Sequence, residues 1–283
     1  MVNDDSRSAY PRISVIVAAF NASSTIEACL DSVLGQDHSA IELIVVDGGS
    51  TDGTVDVVGR LAERLEWWVS EPDSGLYNAW NKALPHVGGE WVCFLGADDQ
   101  LAGPDVMSRM APHLANAQDR YRVAYGSVDV VDPGGSILRH FGSPWAEAGP
   151  RFRDEMSVPH PATFQHKSLF DEHGLFDESY RIGADYEFLL RELLDHDALF
   201  VPDVTVVRMG AGGLSDDPKM MARLVRETHR ARFQHGLVET PDWRSFEVLR
   251  AVTHARLTQW FGRDIADRVG DAYRAVTRTE KEF

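Results

Sequence analysis

At 283 residues and 43% hydrophobic content, the chain is long enough for one large domain or a domain plus an appendage and apolar enough for a real core, which argues against global disorder. Its net charge of −16 is uneven: residues 216–283 carry 13 basic and 11 acidic side chains, and the preceding 215 residues carry a net −18. That balance argues against nucleic-acid binding by the main body, but not against a phosphorylated ligand, because a bound cation can invert the local field.

No apolar run approaches about 18 residues, so no transmembrane helix is expected. Met1 to Arg12 is polar and lacks the apolar core of a signal peptide. Cys29 and Cys93 each sit in an apolar pattern and read as buried thiols in a reducing cytoplasm.

Ile13 to Ala19 reads as a first parallel strand, ended by Phe20-Asn21. Ser23 or Ser24 can cap the next helix, with Glu27 placed for a capping box with Ser24. Ile26, Cys29, Leu30, Val33 and Leu34 share one face of that helix, and Gly35 is its stop. Ile41 to Asp47 is a second strand ending on a carboxylate, before the polar loop Gly48 to Gly53. A helix from about Thr54 to Arg64, a short strand Trp67–Ser70, a loop Glu71–Gly75 and a helix Leu76–Ala83 follow.

Trp91 to Leu95 has the length and apolarity of a buried strand, and Asp98-Asp99 stand just past it. In open α/β sheets ligands bind beyond the C-terminal ends of the strands. Adjacent side chains of an extended segment point opposite ways, so one Asp can face a divalent cation while the other faces a different polar group. Either can equally cap a following helix. The β-α-β-α-β-α-β order, with polar residues after each strand, predicts a parallel sheet covered by helices. Neither GxGxxG nor GxxxxGK[ST] is present, which leaves dinucleotide-binding and P-loop readings weak.

Beyond Pro104 a helix of about a dozen residues is expected, then a strand Val123–Val131, a turn Asp132–Gly135 and a partner strand Ser136–Phe141. Gly142 to Pro161 reads as loop. A strand Ala162–His166, a short helix Ser168–His173, an amphipathic helix Asp185–Leu194 and an extended Leu199–Val207 follow. Gly210 to Ser215 reads as a loop that could be either a mobile lid or a connector, and residues 218–283 read as helical. The simplest division is a domain 1–215 and a helical extension 216–283.

The ordered pieces Ser14–Asn21, Cys29–Gln36, Ile44–Thr54, Asp73–Lys82 and Gly89–Asp99 resemble the family 2 glycosyltransferases. A weaker likeness continues through His160–Phe164 and Gly183–Glu187 to Gly212–Ser215, and the branch that assembles bacterial exopolysaccharide, lipopolysaccharide or glycolipid sugars is the most similar. The resemblance implies a GT-A fold with a mostly parallel central sheet flanked by helices and a helical C-terminal extension. It implies an inverting enzyme that takes a nucleoside-diphosphate sugar, UDP- favoured over GDP-, and Mn²⁺ or Mg²⁺.

In that family Asp47 corresponds to the residue that accepts a hydrogen bond from the nucleobase, Ala18, Phe20 and Asn21 line the same edge, and Asp73 lies in the loop over base and ribose. Asn81 and Lys82 approach the donor sugar or its phosphates, Asp98 faces the ribose or sugar, and Asp99 is the main metal ligand. Asp185 matches the general base, although Ala184 replaces the Glu that usually precedes it. His160 is a candidate contact to phosphates or acceptor, or a core hydrogen-bonder. Asp47 and Asp73 are also turn-formers, Lys82 can be a solvated helix lysine, and Asp185 can cap its helix.

Implied partners are the sugar nucleotide and a glycan or lipid-linked glycan acceptor, with no nucleic acid. Trp243, Phe246, Leu249, Val252, Leu257, Trp260 and Phe261 among arginines admit peripheral membrane contact at the inner face, an oligomer contact or ordinary packing. Two rivals stand beside this reading. One is a nucleotidyltransferase of related fold, which would release pyrophosphate. The other is a nucleotide- or glycan-binding protein without catalysis, for which Ala184 is the supporting feature.

Overall fold

Four apolar runs form the parallel strands β1 (Ile13–Ala19), β2 (Ile41–Asp47), β3 (Trp67–Ser70) and β4 (Trp91–Gly96), in the spatial order β3-β2-β1-β4. β1 lies between β2 and β4, and its residues are almost wholly buried, as expected for a strand covered on both faces. The register sets Ala19 opposite Asp47, Asp47 opposite Ser70 and Ala18 opposite Gly96, so the polar strand ends line up along one edge. The structure is a computed structural model that describes residues 10–117, 120–132, 134–210 and 218–239.

Helices α1 (Ile26–Leu34), α2 (Thr54–Leu61) and α3 (Leu76–Ala83) connect these strands. α1 presents Ile26, Cys29, Leu30 and Val33 to the core. Its expected capping box does not form. The helix starts after Thr25 with no side-chain cap, and Glu27 pairs with Arg60 instead. The entry is tied from the β2–α2 loop: Ala22 N–H donates to Thr54 Oγ1 at 2.8 Å and Ser23 N–H to Asp52 Oδ2 at 3.0 Å. The Thr54 hydroxyl and the N–H groups of Ser23 and Thr54, all donating to Asp52, hold its carboxyl well below the usual carboxylate range.

Past β4 the sheet becomes mixed. β8 (Thr163–His166) pairs antiparallel with β4 and with β6 (Val123–Val131), and β9 (Leu199–Gly210) runs parallel to β6. β5 (Asp99–Leu101) pairs antiparallel with β9, and β7 (Ile137–Phe141) returns along β6. α4 (Val106–Ala117) buries Val106, Met107, Met110 and Leu114.

The stretch read as loop, Gly142 to Pro161, contains helix α5 (Trp145–Phe152) and opens a 3-10 turn at His160. Ala148 and Phe152 are completely buried, and that anchorage outweighs the helix-breaking Pro150. α6 (Ser168–His173) and α7 (Ala184–Leu193) complete this part.

The chain divides into two units, Met1–Ala211 and Gly212–Phe283. In the second, α8 (Pro218–Gln234) is described; most of the Gly210–Ser215 loop and the aromatic residues from Trp243 to Phe261 lie outside the described residues. Among the described residues no helix is long and apolar enough to cross a membrane.

Candidate active site

The C-terminal edge of the parallel strands gathers Ala18, Asp47, Asp73, Asp98 and Asp99. Asp98 lies in the Ala97-Asp98 turn and is exposed, whereas Asp99 opens β5 and is 5% exposed. Because a turn intervenes, the alternation expected of an extended segment does not hold: both carboxylates come over Gly96. A Cβ on Gly96 would stand 2.8 Å from Asp98 Oδ1 and 3.1 Å from Asp99 Oδ2. Neither Asp caps α4, which begins only at Val106.

Gly96 N–H donates to Asp99 Oδ2 at 3.2 Å. Burial, and then the Asp98 charge, push the Asp99 carboxyl up to about 7 against that single hydrogen bond. A buried carboxylate beside another, with one N–H donor, is short of positive charge. One or two carboxylates leave the other coordination positions to phosphate oxygens and water, the usual construction of a Mg²⁺ site on a phosphorylated substrate. The residues therefore fit a hard divalent cation. Among the described residues no group of three or more His, Cys, Asp or Glu forms a closed metal cage.

Asp47 is completely buried and its carboxylate is well supplied. Oδ2 accepts from Gly49 N–H (3.1 Å), Ser50 N–H (2.9 Å) and Ser70 Oγ (2.7 Å), and Oδ1 accepts from the Ser50 hydroxyl. These bonds hold the polar loop in place. Asp73 Oδ1 accepts from Gly75 N–H at 2.8 Å, an Asx turn. Its other oxygen lies against Gly48, where a Cβ would stand 2.6 Å away, so a side chain there would push the Asp73 carboxylate aside.

Phe20 projects from the same edge, 66% exposed. Asn21 takes a left-handed backbone (φ 49°), which Asn tolerates, and its Oδ1 accepts from Thr51 N–H at 3.0 Å.

Two of the expected donor contacts point elsewhere. Asn81 is buried and uses its whole amide on the chain before α7: Nδ2 donates to Phe176 O and Glu178 Oε1, both at 2.9 Å, and Oδ1 accepts from Phe176 N–H at 3.0 Å. Lys82 Nζ donates to Pro72 O at 3.1 Å and pairs with Glu71 at 2.8 Å, closing the Glu71–Gly75 loop against α3. Helical spacing puts Tyr77 and Asn81 on one buried face, which turns Asn81 inward and away from the strand edge.

His160 is buried, its ring stacked with Trp80 (5.1 Å between centroids) and Phe94 (5.7 Å), and Gln165 Nε2 donates to its Nε2 at 3.1 Å. Burial lowers its pKa, with Asp185 opposing, so it is a neutral ring that supplies packing and a hydrogen bond rather than charge. Asp185 is half-buried in the first turn of α7, whose N-cap position is Gly183 with no side-chain cap. Its Oδ1 accepts from Tyr77 Oη at 3.1 Å.

Sequence reasoning overlooked Gly96, Tyr77, Glu178 and Arg181. Glu178 accepts from Asn78 and Asn81, and Arg181 donates to Ser74 O, so the segment before α7 is clasped to the start of α3. The buried aromatic pattern of α3 was the available signal for Tyr77; the other three have none short of the fold.

The mixed sheet, with its parallel half β3-β2-β1-β4 covered by helices, is the fold of the GT-A glycosyltransferases. Residues 14–170 match the profile of Glycosyl transferase family 2, and the chain belongs to that family; it is a glycosyltransferase. It is 34% identical over 189 residues to a PGL/p-HBAD biosynthesis glycosyltransferase of Mycobacterium tuberculosis, covering 65% of this chain and 70% of that one. It is 29% identical to the succinoglycan biosynthesis protein ExoO of Rhizobium meliloti, covering 65% of this chain and 56% of that one.

Among solved structures the fold is shared with S. aureus TarS 1-349 (TM-score 0.59, 19% identity, 89% of this chain and 73% of that one). It is also shared with the mannosyltransferase PcManGT from Pyrobaculum calidifontis in complex with GDP-Man and Mn²⁺ (TM-score 0.59, 22% identity, 95% and 76%).

Proposed function

We propose that this glycosyltransferase moves a sugar, with inversion, from a nucleoside-diphosphate sugar to a hydroxyl of a glycan or lipid-linked glycan, assisted by Mn²⁺ or Mg²⁺. The observation that carries the metal and diphosphate part is the convergence of Asp98 and Asp99 over Gly96 at the end of β4. Asp99 is the principal cation ligand and Asp98 faces the donor's ribose or sugar. When bound, the cation supplies charge to the departing nucleoside diphosphate. The acidic body makes such a counter-charge necessary, since a diphosphate beside clustered carboxylates is otherwise repelled.

Asp73 and the Asp47 loop form the base and ribose side. Asp185 takes the proton of the attacking hydroxyl. Its carboxylate is not spent on capping α7, and Oδ2 has no protein donor among the described contacts, which leaves it available for that proton.

UDP is favoured over GDP as the donor's nucleotide. Solved structures of TarS hold UDP and UDP-GlcNAc, and that of PcManGT holds GDP-Man, so the fold admits both. Relatives named for PGL/p-HBAD biosynthesis and for succinoglycan biosynthesis support an acceptor on a growing glycan or glycolipid.

A melting-temperature screen of nucleoside diphosphates and their sugars, with and without Mn²⁺, tests donor and metal together. A rise with a UDP-sugar that depends on Mn²⁺ is the expected result, followed by release of nucleoside diphosphate on transfer. Release of pyrophosphate, or an equal rise without metal, overturns the reading.

A further inference from the structure

Asp185 stands at the start of a helix whose N-cap, Gly183, has no side chain, and Ala184 beside it offers no second carboxylate. Its carboxylate is held from another element altogether. Tyr77, on α3, donates its hydroxyl to Asp185 Oδ1 at 3.1 Å across 108 positions of sequence. The ring that carries this hydroxyl cannot swing away. It is 2% exposed and packed against Trp80 (5.3 Å, edge to face) and Phe176 (5.9 Å). Burial and the facing Asp185 charge raise its pKa well above the usual phenol value, so the group stays a proton donor throughout the working range.

We propose that Tyr77 is a positioning residue for the transfer reaction: its hydroxyl fixes Asp185 Oδ1 so that Oδ2 is turned to the acceptor hydroxyl. This rests on Asp185 being the general base. Tyr77 itself touches neither donor nor acceptor; it acts through Asp185 alone. A carboxylate aligned by one buried donor needs no reorganisation when the acceptor arrives, which is the general advantage of preorganised groups. The clasp of Asn78, Asn81 and Glu178 keeps α3 and the chain leading into α7 together, so the Tyr77 to Asp185 distance is held from both sides.

The test is a kinetic cycle on the full chain with its donor and acceptor. Tyr77→Phe removes one oxygen without changing shape, and is expected to lower kcat about tenfold while donor KM stays within about twofold. Asp185→Asn is expected to lower kcat by about 100-fold or more. In the Asp185→Asn background, Tyr77→Phe should cause no further loss, because the group it aligns no longer acts as a base.

Replacing Tyr77 with 4-aminophenylalanine returns an N–H donor to the same place and should restore kcat to within about threefold of wild type. This arm remains informative even if Tyr77→Phe does not fold. A merely structural role predicts instead a multiplicative further loss in the double variant, or no rescue by 4-aminophenylalanine, and either overturns the proposal. Asp185→Asn with full turnover overturns the base assignment itself. A damaged Asp185→Asn beside an unaffected Tyr77→Phe overturns only the role of Tyr77.

Discussion

Asp98 and Asp99 bring their carboxylates to the same glycine from opposite environments, one in solvent and the other 5% exposed. The cost of that arrangement falls on Asp99, whose carboxyl is pushed up to about 7 by burial and by its neighbour. Unfolded, the same group titrates near 4. Between these values the folded chain holds a proton that the unfolded chain has lost, so this group's contribution to stability falls as pH rises from about 4 to about 7. The total is on the order of a few kcal/mol, since each tenfold change in proton affinity is worth about 1.4 kcal/mol. In chelator, the melting-temperature difference between Asp99→Asn and wild type should grow in favour of the variant across that window. Mn²⁺ should raise the wild-type melting temperature more at pH 8 than at pH 5.5. An identical pH profile for the two proteins would refute the burial of an anionic Asp99 as the cause.

Gly96 is needed for space at this site. A Cβ there meets the outer oxygens of both aspartates, and those ends can swing aside at small cost to the fold. Gly96→Ala should therefore keep its melting temperature within a few degrees while the Mn²⁺ concentration for half-maximal turnover rises about tenfold or more. Titrating Mn²⁺ against turnover separates the two effects. A large loss of stability with unchanged metal dependence would show that the glycine serves the strand and not the cation.

Asn81 and Lys82 are adjacent in sequence and differ in what they hold. Asn81→Ala leaves the Phe176 N–H and C=O without their partner and should cost about 1–3 kcal/mol of stability, with little change in donor KM once the protein is folded. Lys82→Ala releases the Glu71–Gly75 loop from α3 and should raise donor KM, with stability changed by about 1 kcal/mol or less. Denaturant melts and donor titrations of the two variants decide whether this division of roles is right.

The strands β1, β2 and β4 were readable because they are buried on both faces and so appear as nearly continuous apolar runs, while the edge strand β3 is only half-buried. The carboxylates at their ends were readable as punctuation after those runs. α5 was hidden because Pro144, Gly149 and Pro150 speak for a loop, and only the burial of Ala148 and Phe152 outweighs them. The capping box at Ser24 failed for a related reason: the acceptors that serve the start of α1 belong to Asp52 and Thr54, on the next loop. The same holds for Tyr77 and Asp185. Partners brought together only by the fold leave no local pattern, whereas a strand and its terminal polar residue do.

His160 gives the opposite pH response to Asp99. Burial among Trp80 and Phe94 lowers its pKa below the ordinary histidine value of about 6.5. As pH falls through that value the unfolded chain gains a proton that the folded chain refuses, so stability is full above about 6.5 and is lost on acidification. In the wild type this loss is masked, because Asp99 is gaining stability over the same range. Asp99→Asn should unmask it, giving a melting temperature that drops as pH is lowered below about 6.5. Adding His160→Phe, which keeps an aromatic ring in the stack, should flatten that drop while costing some stability at pH 8 through the lost Gln165 hydrogen bond. Melting curves of the two variants from pH 5 to pH 8 measure both slopes, and an acid limb that survives His160→Phe would assign the titration to a different group.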